Sequence, residues 1–273
     1  MKAVARRVSF KVGPPAATNV PRFGRFCWRL GKKLIPLVVL VVIWQAVAST
    51  QPAYIFPPLG TILKAIVSLA DDGSLWTGTL ATARSVAIAA IISLVFGTLV
   101  GFALAKYERF TAPLLNFAQT IPYVVWALMS LIWFGLTKTS VVFTIAVAAF
   151  PIVAFNVAAG LQNVDPQLLG MAESVRANRF MLLRHIVLPS LTPYLIGASR
   201  SMLGMCWKIS VLAELFAGGA SGGGVGYNLY SAWEFSRPNE LFGWTLWLVF
   251  LMMVSDRVFI TPLAALATRW KKN

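Results

Sequence analysis

The chain has 273 residues, 58% of them hydrophobic and only 12% charged, with a formal net charge of +15. A charged share about half that of an ordinary soluble domain, with apolar residues gathered in long blocks, points to lipid as the solvent. The Lys and Arg residues sit at the ends of apolar blocks rather than on one folded face, which argues against nucleic acid as a partner and fits the positive-inside rule.

Residues 1–33 hold nine Lys or Arg and no acid, and Pro14, Pro15 and Pro21 discourage regular structure. They read as a basic, poorly ordered cytosolic arm that favours anionic lipid headgroups. Ala46-Val47-Ala48 resembles a cleavage site, so a signal peptide is the rival reading. The arm is too long for an ordinary n-region, and more apolar spans follow.

The first predicted span, 34–49, is short but adequate for a bilayer core about 30 Å thick. Prolines in 51–60 break the helix, and 61–70 reads as a short amphipathic helix in the outer interface, ended by Asp71-Asp72-Gly73. The second span is 80–105, where Gly97 and Gly101 lie four apart, a spacing that lets helices approach closely. After the charged turn Lys106-Tyr107-Glu108-Arg109 come a third span, 114–134, kinked at Pro122, and a fourth, 141–161, with Pro151 in its middle. The fifth is 193–215, followed by the glycine loop 218–226. The sixth is 241–263, ending before Arg269, Lys271 and Lys272.

Six spans put both termini on one side. Seventeen Lys and Arg fall in the segments that would be inside and three (Lys64, Lys138 and Arg237) in those outside, so both termini are expected in the cytosol. Arg84, Arg200, Lys208 and Arg257 lie in or near spans, and Arg84 is placed to snorkel. The expected organisation is the arm, 1–33, and a six-helix transmembrane domain, 34–273.

The stretch MAESVRANRFMLLRHIVLPSL, starting at Met171, carries Glu173, Arg176, Arg179, Arg184 and His185 between the fourth and fifth spans. Asp165-Pro166 is a good helix start, and Leu168, Leu169, Ala172 and Val175 recur at helical spacing. Asn178 is placed to cap a second short helix with Phe180, Leu183 and Val187 on one face, ended by Pro189. The result is a cytosolic helical hairpin, 163–190, suited to a groove in a partner protein or, alternatively, to the lipid surface.

Ile186-x-Leu188-Pro189 after this hairpin resembles the cytoplasmic loop of ABC importer permeases, which reads E-A-A, three residues, G, nine residues, I-x-L-P. The resemblance extends through FPPLGTILKAI, NFAQTIPYVVWALMSLIWFG, NVDPQLLGMAESV and AELFAG. It is nearest the branch that carries nitrate, taurine, alkanesulfonates and related small anions. Aligned back from Ile186, the family's E-A-A falls on Gly170, Met171 and Ala172, and its glycine falls on Arg176. Only Ala172, Ile186, Leu188 and Pro189 keep the pattern, and Glu173 is not at the family's Glu position.

The resemblance implies an all-α membrane protein of the type I ABC importer transmembrane-domain fold in a bacterial inner membrane. Two permease subunits, identical or homologous, would form the pore. Two ATP-binding cassette subunits would hold ATP and Mg. A periplasmic or lipid-anchored binding protein would deliver the solute. The chain lacks the GxxxxGK(S/T) phosphate loop and is expected to hold no cofactor and hydrolyse no ATP itself. Ala172, Glu173, Arg176, Phe180, Leu183, Ile186, Leu188 and Pro189 are the coupling candidates.

Charges within the hydrocarbon are candidates for the pathway. Arg200, Gly204 and Lys208 follow i, i+4, i+8 on the fifth span, flanked by Ser201, and this basic, small-residue stripe suits an anionic solute. The rival is an interhelical salt bridge to Asp256 or Glu214. Glu214, Asp256 and Trp126 are gate or packing candidates. Asp256 and Arg257 point about 100° apart on a helix and so meet different neighbours. The run GGASGGGVGYN lacks a phosphate-binding lysine and reads as a flexible contact for the binding protein, with Tyr227, Tyr230 and Trp233 forming an interfacial belt. A membrane-embedded enzyme would need a polar cluster that one histidine and scattered carboxylates do not form. Cys27 and Cys206 form no CxxC or zinc motif. A non-transporting scaffold remains the other reading, and an aromatic carboxylate or a vitamin precursor remains the alternative solute.

Overall fold

A computed structural model describes residues 22–219 and 222–262, all helix and connecting turns, with no strand among them. The chain divides into a unit Met1–Gln51 and a unit Pro52–Asn273.

In the first unit, helix α1 (Arg22–Thr50) begins inside the predicted arm, so residues 22–33 are helical rather than irregular. Residues 1–21 of the expected arm lie outside the described residues. The apolar part of α1, Val38–Thr50, is shorter than a bilayer crossing needs at 1.5 Å per residue.

The second unit runs α2 (Leu59–Asp71), α3 (Ser74–Lys106), α4 (Glu108–Thr120), α5 (Tyr123–Phe134), α6 (Lys138–Gln162), α7 (Pro166–Ser174) and α8 (Arg179–Leu182). A π turn, Leu183–Val187, leads into α9 (Leu188–Ala217). Then come α10 (Val225–Glu234) and α11 (Pro238–Ser255), the last extended by a second π turn, Asp256–Ile260. Among the described residues four helices are long and apolar enough to cross a membrane, or five if α4 and α5 count as one broken span. Apolar side chains such as Ile88, Ile91, Val95 and Leu99 on α3 stay exposed, as lipid-facing residues do.

The core is a bundle of α3, α6 and α9, in which Val86 and Ala89 meet Val141, Ile145, Val153 and Val157 of α6 and Met202, Cys206 and Ala213 of α9. Small residues make this possible. A Cβ on Gly97 would lie 2.6 Å from the Phe150 carbonyl oxygen, and one on Gly101 would lie 2.7 Å from Val157 Cβ. Ser93, one turn earlier, donates to the Ala146 carbonyl at 3.3 Å. The spacing read in the sequence is the α3–α6 contact ridge.

Two expectations about proline need correction. Pro122 does not merely kink the third span: α4 and α5 meet at 90°. Ile121 is extended, as a residue before proline prefers, and Pro122 precedes the first turn of α5. Pro189, in turn, does not end the hairpin. It sits in the first turn of α9, while Leu188 N–H donates to the Leu183 carbonyl in a π turn, so helix continues from Arg179 to Ala217. A wide turn of this kind absorbs the donor that proline lacks.

Candidate functional site

The C-terminal end of α9 carries a buried carboxylate. Glu214 is 1% exposed. Its Oε2 accepts hydrogen bonds from Thr82 Oγ1 on α3 at 2.9 Å and from Gly226 N–H at the start of α10 at 2.8 Å. Thr82 Oγ1 in turn accepts Val225 N–H at 2.8 Å. The first turn of α10 therefore spends its free N–H groups on this pair, as a helix N-terminus facing an anion does. A Cβ on Gly224 would overlap the Glu214 carboxyl, and one on Gly226 would lie 2.5 Å from the Val211 carbonyl oxygen. The glycines thus allow close approach here, and from Val225 the chain is helix rather than loop. Of the predicted aromatic belt on α10, Trp233 is exposed and packs 5.7 Å from Tyr230, while Tyr227 lies against Gly219.

Along α9, Arg200, Ser201 and Lys208 are exposed, Gly204 is half-buried, and nothing lies within 4 Å of a Cβ built on Gly204. The four share an unobstructed face. Arg200 Nε donates to Asp256 Oδ1 at 2.9 Å, with side-chain exposures of 54% and 43%. This is the interhelical pair that the sequence offered as the rival to solute contact. Lys208 forms no ion pair among the described residues, so it is the uncompensated charge of the face. Arg257 likewise forms none there.

Trp126 has a defined structural task. Its indole Nε1 donates to the Ala118 carbonyl at 3.2 Å. That carbonyl is the one a helical residue at 122 would have satisfied, and Pro122 has no N–H. The side chain spans the break between α4 and α5.

In the hairpin both predicted caps are present: Asp165 accepts Gln167 N–H at 2.8 Å, and Asn178 accepts Met181 N–H at 2.7 Å. α7 closes with Arg176 N–H on the Glu173 carbonyl (2.9 Å) and Ala177 N–H on the Ala172 carbonyl (2.9 Å), the paired bonds of a Schellman ending. Arg176 holds φ +50°, the left-handed conformation usually given to glycine. This is the position at which the family pattern has its glycine.

An almost wholly apolar groove of about 340 Å³ lies between the hairpin's arms. Met171, Ala172 and Val175 line one wall, Met181, Leu182, His185 and Ile186 the other, with Ala177 at the bend. Of the coupling candidates only Ala172 and Ile186 line it. Glu173, Arg176, Phe180, Leu183, Leu188 and Pro189 are exposed outside it. Sequence reasoning missed Met171, Val175, Met181 and Leu182 as a set, because the groove pairs residues across the turn, where no single helical periodicity joins them. Among the described residues no group of His, Cys, Asp and Glu could hold a metal.

The chain is similar to known transport proteins over most of its length. It is 27% identical to the aliphatic sulfonates transport permease protein SsuC of Bacillus subtilis, covering 100% of this chain and 99% of that one. It is 29% identical to the taurine transport system permease protein TauC of Escherichia coli, over 73% and 75% of the two chains. The riboflavin transport system permease protein RibX of Chloroflexus aurantiacus is 31% identical, over 71% and 74%. Among solved structures, a chain of the MetNI methionine ABC transporter in an inward-facing conformation matches with a TM-score of 0.61 at 18% identity, covering 70% of this chain and 95% of that one. The shared fold is the all-helical transmembrane domain of type I ABC importers. The model for binding-protein-dependent transport system inner membrane components matches residues 93–272. The chain belongs to that family, as an ABC importer permease of the nitrate, taurine and sulfonate branch.

Proposed function

We propose that this permease forms part of the passage for a small organic or inorganic anion, such as a sulfonate, taurine or nitrate, entering the cytosol. The observation that carries the reading is the unobstructed face of α9. Asp256 compensates Arg200, whereas Lys208 has no partner among the described residues. An uncompensated cation in a span is costly unless an anion visits it. Relatives named for sulfonates, taurine and nitrate support the same solute class.

The hairpin would dock on an ATP-binding cassette subunit through its apolar groove, and ATP with Mg would stay on that partner. Docking at this end of the 39-residue helix Arg179–Ala217 would put the coupling element and the candidate passage on one continuous helix. Closure of two such ATPases beneath two permease chains would then tilt that helix between two states. At its far end, the Glu214–Thr82–α10 junction would hold the outer gate. A binding protein outside would supply the solute, with both termini of this chain in the cytosol and the assembly in the inner membrane. α1, helical over 29 residues, would supply the sixth span of the 34–273 domain by adding residues before Val38 to its short apolar part.

A second reading has one observation in its favour: the similarity to a riboflavin permease, at 31% identity. A neutral aromatic solute would not need Lys208.

The test is solute-stimulated ATP hydrolysis by the chain reconstituted with its ATPase and binding protein. Taurine, an alkanesulfonate or nitrate is expected to stimulate turnover, and Lys208→Ala to reduce anion uptake at least tenfold with the assembly intact. Stimulation by riboflavin alone, or unchanged uptake by Lys208→Ala, would overturn the anion reading.

A further inference from the structure

A second cavity, lined about equally by polar and apolar surface and about 540 Å³ in volume, lies far in sequence from the α9 face. Asp72 and Ser74, where α3 begins, and Arg237 and Glu240, where α11 begins, contribute to its wall. Both helices are long and apolar enough to span. The cavity therefore sits at a water–lipid boundary. Trp76, in the first turn of α3, meets Trp247 edge-on at 5.9 Å, and Trp247 Nε1 donates to Thr79 Oγ1 at 2.8 Å. Indoles with one apolar side and one hydrogen-bonded tip mark such a boundary.

Helix α2 presents three rows. Ile62 and Leu69 are buried. Lys64, Ser68 and Asp72, one turn apart from each other, line the cavity. Leu63 and Val67, in the neighbouring row, are each 58% exposed. A cavity with a row of polar side chains along one wall, bordered by an exposed apolar ridge, is the shape complement of an amphiphile.

The charges narrow its chemistry. Arg237 is fixed by Glu240 at 2.9 Å and by the Ser231 hydroxyl at 3.2 Å, so these two charges offset each other. Lys64 has no ion pair among the described residues. The Ser74 side chain beside it and the Ser74 N–H, which donates to Asp72 Oδ1 at 2.8 Å, hold the Asp72 carboxyl below its ordinary range, so it is ionised at neutral pH. One row of α2 thus offers a cation, a hydroxyl and an anion in sequence. A carboxylate from a docking protein would be attracted by Lys64 but repelled by Asp72.

We propose that this cavity binds the headgroup of a zwitterionic phospholipid carrying a primary amine, with its phosphate at Lys64 and Ser68, its ammonium at Asp72 and its acyl chains along Leu63 and Val67. A two-carbon linker between phosphate and amine suits the one-turn step from Ser68 to Asp72. A trimethylated amine has no N–H for Asp72. The site rests on membrane insertion alone, not on the solute or on which end of the chain is cytosolic.

The test is native mass spectrometry of the delipidated, assembled transporter after addition of phosphatidylethanolamine, phosphatidylcholine or phosphatidylglycerol. One phosphatidylethanolamine per chain is expected, at least tenfold preferred over the other two. Lys64→Ala is expected to lower occupancy at least tenfold, and Asp72→Asn to remove the preference over phosphatidylcholine while binding persists. Both side chains are exposed and make no long-range hydrogen bond or ion pair among the described residues, and an unchanged melting profile checks the fold. Equal occupancy by all three lipids, or occupancy indifferent to Lys64→Ala, would overturn the proposal. So would a tenfold loss of binding-protein association in Lys64→Ala with lipid occupancy unaltered, which would make this surface a protein dock. None of these results depends on solute-stimulated hydrolysis, so this site and the anion pathway fail separately.

Discussion

Glu214 ties three helices together, since α3, α9 and α10 converge on it. Glu214→Ala would strand the Gly226 N–H and loosen Thr82. A buried donor left unpaired costs about 1–3 kcal/mol, more when its partner was charged. The expected outcome is a melting midpoint several degrees lower in detergent, with Glu214→Gln recovering most of it. Equal losses in both variants would mean that the carboxylate itself, rather than side-chain volume or a single acceptor oxygen, is required. Arg176 offers an opposite case. A non-glycine residue in the left-handed region costs about 1 kcal/mol, so Arg176→Gly should be tolerated or mildly stabilising and Arg176→Val clearly destabilising. Thermal unfolding of the two variants side by side checks this. The sequence showed Arg176 as a departure from the family pattern, and the backbone shows that the geometry was kept while the glycine was not. Glu214 was readable as a packing residue, but Thr82 was not its visible partner: 132 positions separate them, and no periodicity connects them.

Among the helices, what short-range rules govern was legible. The four-residue spacing of Gly97 and Gly101 became the α3–α6 ridge, and Asp165 and Asn178 cap the helices they were expected to cap. Gly97→Leu would force that ridge apart. Overpacking costs about 1–3 kcal/mol for small additions, and a whole isobutyl group against a backbone carbonyl should exceed that, leaving little monodisperse protein on size-exclusion chromatography. Wild-type yield and elution would show that α3 and α6 need no close approach. The break at Pro122 was not legible, because proline is compatible with a kink or a corner. The deciding group is the Trp126 indole eight residues from the carbonyl it satisfies. Trp126→Phe keeps the ring and removes the donor, so it should destabilise by about 1 kcal/mol. A melting midpoint equal to wild type would show that water replaces the indole. Helix α10 went unseen because it starts at the end of the glycine run, where the bonds of Val225 and Gly226 to Thr82 and Glu214 anchor its first turn.

Across the assembled chain, the membrane class and the family were legible from apolar blocks and one loop, whereas the number of crossings was not. Hydropathy alone cannot distinguish a bent pair such as α4 and α5 from one span, and the apolar part of α1 is short. The coupling surface was only partly legible, since the groove is assembled from both arms of the hairpin. Charging its wall with Val175→Asp should abolish co-purification of the ATPase, while Phe180→Ser, outside the groove, should weaken it less; the reverse order would move the dock to the outer face. All of this requires the hairpin to lie where ATP is. The direct measurement labels Phe180→Cys, in a Cys27→Ser background, with a membrane-impermeant maleimide in right-side-out and inverted vesicles. Phe180 is exposed, and the remaining native thiol, Cys206, is buried. Labelling in inverted vesicles only is expected; labelling in right-side-out vesicles would place the hairpin outside and contradict the coupling role.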